Sequence, residues 1–381
     1  MASQQLIQSD NEYKELDAFL LQQQVKRLFL VCGSSIKNLD ISEYFDSLEK
    51  RLGIHVTRFS DFSPNPLYES VEKGVALFRL NGCDGIIAVG GGSAMDVAKC
   101  VKLFSSMDSS RNFLEQTPVP NTLPFLAVPT TAGTGSEATR FAVIYYKGEK
   151  QSITDVSLIP SAVLFQEKFL ETLPEYQKKS TMLDALCHGV ESYWSINSTK
   201  ESRSFAKSAI TRILRNKEAY FAGQKTAGKE MLLASYYAGK AINITQTTAG
   251  HAMCYKLTSL YGISHGHAAA LCVCQLWPYM LCHLENCVDP RGKKWLMSML
   301  LELAEIFGAD TAKDGADRFK QFVLSLGLEP PTFKTEQEFD ILKKSVNIVR
   351  LKNHPIALSE EKIDHLYHAI LSRKKETENE G

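Results

Sequence analysis

Two histidines, His251 and His265, stand fourteen positions apart around a glycine-containing turn, in Gly250-His251-Ala252-Met253-Cys254-Tyr255 and Ser264-His265-Gly266-His267. Far upstream, Asp184 and His188 are four apart in Met182-Leu183-Asp184-Ala185-Leu186-Cys187-His188, which reads as helix. That spacing sets a carboxylate and an imidazole on one helical face. One oxygen and three nitrogen donors suit a divalent ion of intermediate softness, Fe²⁺ or Zn²⁺. A lone histidine is more often a hydrogen-bonded core or surface group, so the reading rests on the set of four. His267, two positions past a candidate ligand, is either a proton relay or a packing residue. Tyr255, one helical turn beyond His251, faces the same pocket or the core.

A second kind of chemistry appears in the first half. The apolar run Gly85-Ile86-Ile87-Ala88-Val89 leads into Gly90-Gly91-Gly92-Ser93-Ala94-Met95-Asp96-Val97-Ala98-Lys99. Glycines let backbone N–H groups approach a ligand, and a helix N-terminus behind them suits a pyrophosphate. Ser93 and Asp96 have capping-box spacing for that helix. Another apolar run, 124–128, opens into Pro129-Thr130-Thr131-Ala132-Gly133-Thr134-Gly135-Ser136-Glu137. In an open α/β sheet, loops beyond the carboxyl ends of the strands hold the ligand. Gly90, Gly91, Gly92, Ser93, Asp96, Thr130, Thr131 and Thr134 are therefore candidate dinucleotide contacts, with Asn65 in the turn Ser63-Pro64-Asn65-Pro66. After the first apolar strand, Gly33, Ser34 and Ser35 stand where an acidic residue would select NADH, and Lys37 follows closely. Small residues, hydroxyl donors and a positive charge favour NADPH over NADH.

These residues need elements to carry them. Residues 5–25 read as a polar helix, followed by a buried strand at 27–32, a helix at about 40–52, a strand at 54–59 and a helix at 67–81. Alternating strands and helices imply a parallel sheet with helices on its faces. Further strands are expected at 141–146 and 162–165. Beyond Leu173-Pro174 helical patterns dominate, at 180–197, 201–221, 227–247, 251–260, 266–283, 293–307, 311–326, 335–349 and 359–373. The expected fold is thus α/β followed by all-α: a parallel-sheet dinucleotide-binding domain over 1–176 and an all-helical domain with the candidate metal ligands over 177–381. The charged end, 373–381, is expected to fray.

The totals exclude several classes. Lys+Arg and Asp+Glu are both 43 in 381 residues, which gives nothing for nucleic acid or an anionic membrane to recognise. The longest apolar run, 268–282, is broken by Gln275 and Pro278, and no signal peptide is visible at the start. The nine cysteines form no CxxC pair and read as buried thiols of a cytoplasmic protein. The same reading holds for Cys187 and Cys254, although both neighbour candidate ligands.

Taken in order, the Gly90–Lys99 motif, the Pro129–Thr134 loop, Asp184 with His188, and His251 with His265-Gly266 resemble the iron-containing (group III) alcohol dehydrogenases, over nearly the whole chain. The resemblance implies that the N-terminal domain is Rossmann-like and the C-terminal one a helical metal-binding domain, with a cleft between them, a homodimer, and Asp184, His188, His251 and His265 as metal ligands. It implies reduction of a small aldehyde to a primary alcohol by NAD(P)H. Within the family, the stretches 173–181, 191–195, 255–262 and 350–353 look closest to phosphonoacetaldehyde reductases. That branch implies a phosphonate-bearing substrate yielding 2-hydroxyethylphosphonate, with Lys256, Arg350 and Lys352 as its cationic contacts. Many relatives carry histidine at the position of Tyr255, and many carry Asp-Pro where this chain has Gln166-Glu167. The alternatives are a broad-range short-chain alcohol dehydrogenase, a metal-dependent lyase similar to dehydroquinate synthase, and a non-catalytic protein that keeps only the fold.

Overall fold

The computed structural model describes residues 4–9 and 12–373, so the charged end lies outside the described residues but for Arg373. The chain folds as two compact units, Met1–Leu173 with Ala222–Leu232, and Pro174–Phe221 with Leu233–Gly381.

The first unit runs β1 (Gln5–Gln8), α1 (Lys14–Gln22), β2 (Arg27–Cys32), α2 (Ile41–Leu52), β3 (His55–Phe59), α3 (Tyr68–Leu80), β4 (Gly85–Gly90), α4 (Gly92–Phe104), β5 (Phe125–Pro129), β6 (Phe141–Tyr146), β7 (Glu149–Thr154) and β8 (Ala162–Phe165). Six strands form one parallel sheet in the order β1-β8-β5-β4-β2-β3. The central strands are apolar throughout because both faces are covered. Leu28, Leu30, Ile87, Val89, Leu126 and Val128 share one core with Leu16, Leu20, Phe45 and Leu48 of α1 and α2. Phe29, on the alternate pleat, meets Phe59 and Phe78 at ring-centroid distances of 5.8 and 5.5 Å.

Residues 5–25 are not one helix. Four of them form the edge strand β1, defined by pairing with β8 far downstream, so no local period marks it. The polar strand β7 likewise lies outside the expected elements; it pairs antiparallel with β6 around Lys147 and Gly148, both at positive φ, the geometry of a tight hairpin turn. Ser93 does not cap α4: Gly91 is the N-cap, no side chain bonds there, and Ser93 lies inside the first turn.

The helical part comprises α5 (Glu175–Trp194), α6 (Lys200–Phe221), α7 (Lys225–Thr245), α8 (Ala249–Tyr261), α9 (His265–Cys282), α10 (Lys293–Ile306), α11 (Ala312–Leu324), β9 (Thr332–Phe333), α12 (Gln337–Lys344), α13 (Ile348–Leu351), α14 (Glu360–Ile370) and β10 (Ser372–Arg373). The first residues of α7 group with the sheet unit. The expected helix at 335–349 is two, because the Asn347 side chain accepts from Arg350 N at 3.1 Å and starts α13 afresh. The helical unit is not wholly α: β9 and β10 pair over two residues. Within it α9 packs against both α5 and α8, and the three carry the candidate ligands. Among the described residues no helix is long and apolar enough to cross a membrane.

Candidate metal and nucleotide sites

Helix α5 is buried on every side from Met182 to Trp194, so its polar residues must find partners inside the protein. Asp184 and His188 lie on one stripe of α5, and His251 comes from the first turn of α8. Their ligand atoms all fall within 4.8 Å of one another, and all three residues are buried. His251 Nε2 is 3.4 Å and His188 Nε2 4.0 Å from Asp184 Oδ1. Donors about 2.1 Å from a tetrahedral ion would stand about 3.4 Å apart. The spacing and the O/N donor set therefore fit a divalent ion. His265, the first residue of α9, has its ring 5.3 Å from that of His251 and contributes to the field on Asp184. It lies beside the three, with Cys254 Sγ 3.5 Å from its Nδ1.

Burial opposes ionisation of Asp184, but His188, His251 and His265 around it hold its pKa well below the usual carboxylate range. Burial also opposes a charge on His251, yet Glu191 and Asp184 outweigh it and raise its pKa to about 9. Glu191, one turn beyond His188 on α5, is fully buried and bonds His251 Nδ1. Reasoning from the sequence missed it as a functional residue. The available signal was its place seven residues after Asp184, on the same helical stripe.

Tyr255 stacks on His265 with ring centroids 5.3 Å apart and an interplanar angle of 21°. His267 is buried elsewhere, with Nδ1 3.3 Å from Tyr176 Oη. Burial lowers its pKa against the pull of the Glu329 and Leu328 backbone. The phenol of Tyr176 also accepts from Ser264 N at 2.9 Å, which ties the start of α9 to α5.

In the sheet unit, the chain leaves β2 outward to β3 and returns across it to β4. Connections diverge between β2 and β4, the position where open α/β sheets bind ligands beyond the strand ends. Both glycine-containing loops end there. Gly33 is followed by a short helical turn, Ser34–Asn38, in which Ser34, Ser35 and Lys37 are exposed. Gly90 has φ 156° and an added Cβ would meet Ala94 Cβ at 2.7 Å, so only glycine fits. The β5 loop folds over this turn: Thr130 N donates to Gly90 O at 3.1 Å, and the Cβ atoms that Gly91 and Gly92 lack would meet Thr131 and Thr134 at 3.2 and 3.0 Å. With no side-chain cap on α4, its first N–H groups are left for an anion. Asn65 is an exposed residue at φ 58° in the turn after β3, beside β2 in the sheet.

Beneath the loops lies a charged cluster. Lys99 is fully buried, and its ammonium donates to the carbonyls of Ser136, Thr139 and Phe141 at 2.6–2.8 Å and to two hydroxyls. Asp96 accepts from Ser136 Oγ at 3.3 Å, so its carboxylate is engaged with the threonine loop. Burial raises the Asp96 pKa to about 6 and that of Glu137 to about 7, and lowers that of Lys99 to about 8.

The three cations assigned to an anionic substrate stand in different settings on α8 and α13. Lys256 is half-buried on α8, about 140° around the helix from His251 by the 3.6-residue period. Lys352 is exposed at the end of α13. Arg350 donates to Gln246 Oε1 at 2.7 Å, and Gln246 lies just before the N-terminus of α8.

The model of the family described as iron-containing alcohol dehydrogenase matches residues 3–167, and that of the Fe-containing alcohol dehydrogenase family C-terminal part matches 178–371. Phosphonoacetaldehyde reductase of Streptomyces viridochromogenes is 32% identical over 74% of this chain and 75% of its own length. The NADPH-dependent butanol dehydrogenase of Clostridium saccharobutylicum is 31% identical over 65% of each chain. The crystal structure of sulfoacetaldehyde reductase from Bifidobacterium kashiwanohense in complex with NAD⁺ superposes with TM-score 0.84 at 25% identity, covering 97% of this chain and 98% of that one.

Proposed function

Because the chain belongs to the iron-containing alcohol dehydrogenase family, we propose that it reduces a small anionic aldehyde, phosphonoacetaldehyde, to its primary alcohol with NADPH and a divalent ion, Fe²⁺ or Zn²⁺. The observation that carries this reading is the convergence of Asp184, His188 and His251 within 4.8 Å, with His265 beside them. A cation held by these four would supply Lewis-acid stabilisation of negative charge on a substrate oxygen. Reduced nicotinamide supplies the hydride.

The chain's own residues do the rest. The α4 N-terminus and the loops at Gly90–Gly92 and Thr130–Thr134 hold the dinucleotide, with Asn65 on the same rim and Ser93 and Asp96 on the first turns behind. Exposed Ser34, Ser35 and Lys37 receive a 2′-phosphate. Tyr255, stacked on a ligand, is the proton donor to the product oxygen in preference to His267, which is buried against Tyr176. Arg350, beside the N-terminus of α8, carries the larger share of phosphonate recognition, with Lys256 and Lys352 secondary. Two relatives named above are, by name, reductases of acetaldehydes bearing a tetrahedral anion, a phosphonate in one and a sulfonate in the other. That shared chemistry favours an anionic two-carbon aldehyde over a plain alkanal. Nine free thiols are consistent with a reducing cytoplasm.

The test is a panel of phosphonoacetaldehyde, sulfoacetaldehyde and propanal, assayed with NADPH and NADH after reconstitution with Fe²⁺ or Zn²⁺. Phosphonoacetaldehyde is expected to give the highest kcat/KM. Arg350→Ala should raise its KM about tenfold, the loss of one charge-assisted contact, and leave propanal unchanged. Equal kcat/KM for all three would replace this reading by a broad-range dehydrogenase. Turnover without net nicotinamide oxidation would replace it by a lyase.

A further inference from the structure

The clearest built feature outside the ligand set is Glu191, and we infer that it is the positioning residue that fixes which nitrogen of His251 faces the metal. The inference rests on the metal reading above. Glu191 is 0% exposed, and its two carboxylate oxygens do different things. Oε2 meets His251 Nδ1. Oε1 accepts from Thr248 N at 3.1 Å, Gly250 N at 2.9 Å and His251 N at 3.4 Å, and from the Thr248 hydroxyl. Those amides are the free N–H groups at the start of α8, whose own N-cap residue, Thr248, makes no capping bond with its side chain. The Thr248 hydroxyl accepts in turn from Trp194 Nε1 at 3.0 Å. A side chain of α5 therefore caps α8 with one oxygen and orients the ligand on α8 with the other.

The chemistry follows from the inventory of donors. A carboxylate only accepts, so the ring nitrogen facing it carries the proton. With Nδ1–H committed to Glu191, Nε2, which faces Asp184 Oδ1 at 3.4 Å, is the nitrogen left to offer a lone pair to an ion, giving up to it the proton it shares with that carboxylate. Ligating imidazoles are held in this way by a carboxylate behind them, and loss of such a partner costs about 10–100-fold in metal affinity. Because Asp184, His188 and Glu191 share one helix, the same α5 stripe supplies two ligands and the orientation of a third.

Glutamine is nearly isosteric with Glu191 yet cannot do both tasks. If its carbonyl accepts from the α8 amides, its NH₂ faces His251 and forces the opposite tautomer, with Nε2–H aimed at the ion. If flipped, its NH₂ collides with three amide donors. Glu191→Gln is therefore expected to lower Zn²⁺ affinity about 10–100-fold in competition with a chromophoric chelator, and Glu191→Asp, which keeps the charge, to recover part of the loss. In ¹⁵N spectra of the Zn²⁺-loaded wild-type protein, His251 is expected to be bound through Nε2 and protonated at Nδ1, a signature that a merely structural glutamate would not set. If wild type binds Zn²⁺ and Glu191→Gln binds it equally, the inference fails and the metal reading stands. Binding through Nδ1 in wild type would overturn it whether or not the variants fold. If wild type binds no ion through these residues, the metal reading fails and the inference falls with it.

Discussion

Gly266→Ala is a change for which two physical effects predict opposite signs. Gly266 is the second residue of α9 and helical, so intrinsic propensity favours alanine by at most about 1 kcal/mol. Sterics oppose it: a Cβ there would lie 2.0 Å from Ser180 O and 2.7 Å from Asp184 N and Cβ. A carbon–oxygen contact needs about 3.3 Å, so α9 and α5 must part locally by about 1.3 Å. The obstructing oxygen is backbone, and no rotamer change relieves it. Overpacking of this kind costs about 1–3 kcal/mol, and the upper part of that range applies, leaving a net loss of about 2 kcal/mol. In a unit of this size that lowers Tm by about 4–8 °C. The displacement also moves His265, the adjacent residue, beyond the roughly 0.5 Å tolerance of a functional site, so Zn²⁺ affinity should fall as well. Gly262→Ala is the control. Gly262 has φ +68° with open space around it, so alanine there costs stability through backbone strain while leaving the ligands in place. Thermal unfolding and Zn²⁺ competition on both variants test the reasoning. A Gly266→Ala protein with wild-type Tm and wild-type affinity would refute the close approach of α9 to α5.

Three further outcomes follow from the same structure. Gly33→Asp should shift preference toward NADH, because a carboxylate there accepts from a ribose 2′-OH and repels a 2′-phosphate; unchanged kcat/KM ratios for the two cofactors would contradict this. Without an ion, His251 is protonated up to about pH 9 and metal must displace that proton. Zn²⁺ affinity should therefore rise about tenfold per pH unit from 7 to 9, and a plateau above pH 7 in chelator competition would show an ordinary histidine. Burial raises Glu137 from 4.5 to about 7, against the pull of Lys99. A folded pKa above the unfolded one means that this contribution is complete below about pH 4.5 and is lost as pH climbs through 7. The urea midpoint should fall less between pH 5 and 7.5 in Glu137→Gln than in wild type, and parallel profiles would reject the buried-carboxyl account.

The sequence by itself determined the parallel sheet and the helical second half, because buried strands leave short apolar runs and amphipathic helices a local period. It also named the ligand candidates, since the i,i+4 pair and the two later histidines are types that metals require. It could not place β1 or β7, whose pairing partners rather than their own pattern make them strands. It put Ser93 in the role of a cap that belongs to Gly91, because side-chain spacing does not register where the backbone turns. Glu191 and Lys99 stood in stretches that carry the family resemblance, but sequence reasoning assigned a role to neither of them. Only the tertiary structure shows the first capping α8 and holding His251, and the second bonded to five oxygens beneath the threonine loop. Burial is the physical reason: the same charged side chain is a solvated group on a surface and a fixed, directional partner once water is removed, and a single chain of letters does not record which of these it will be.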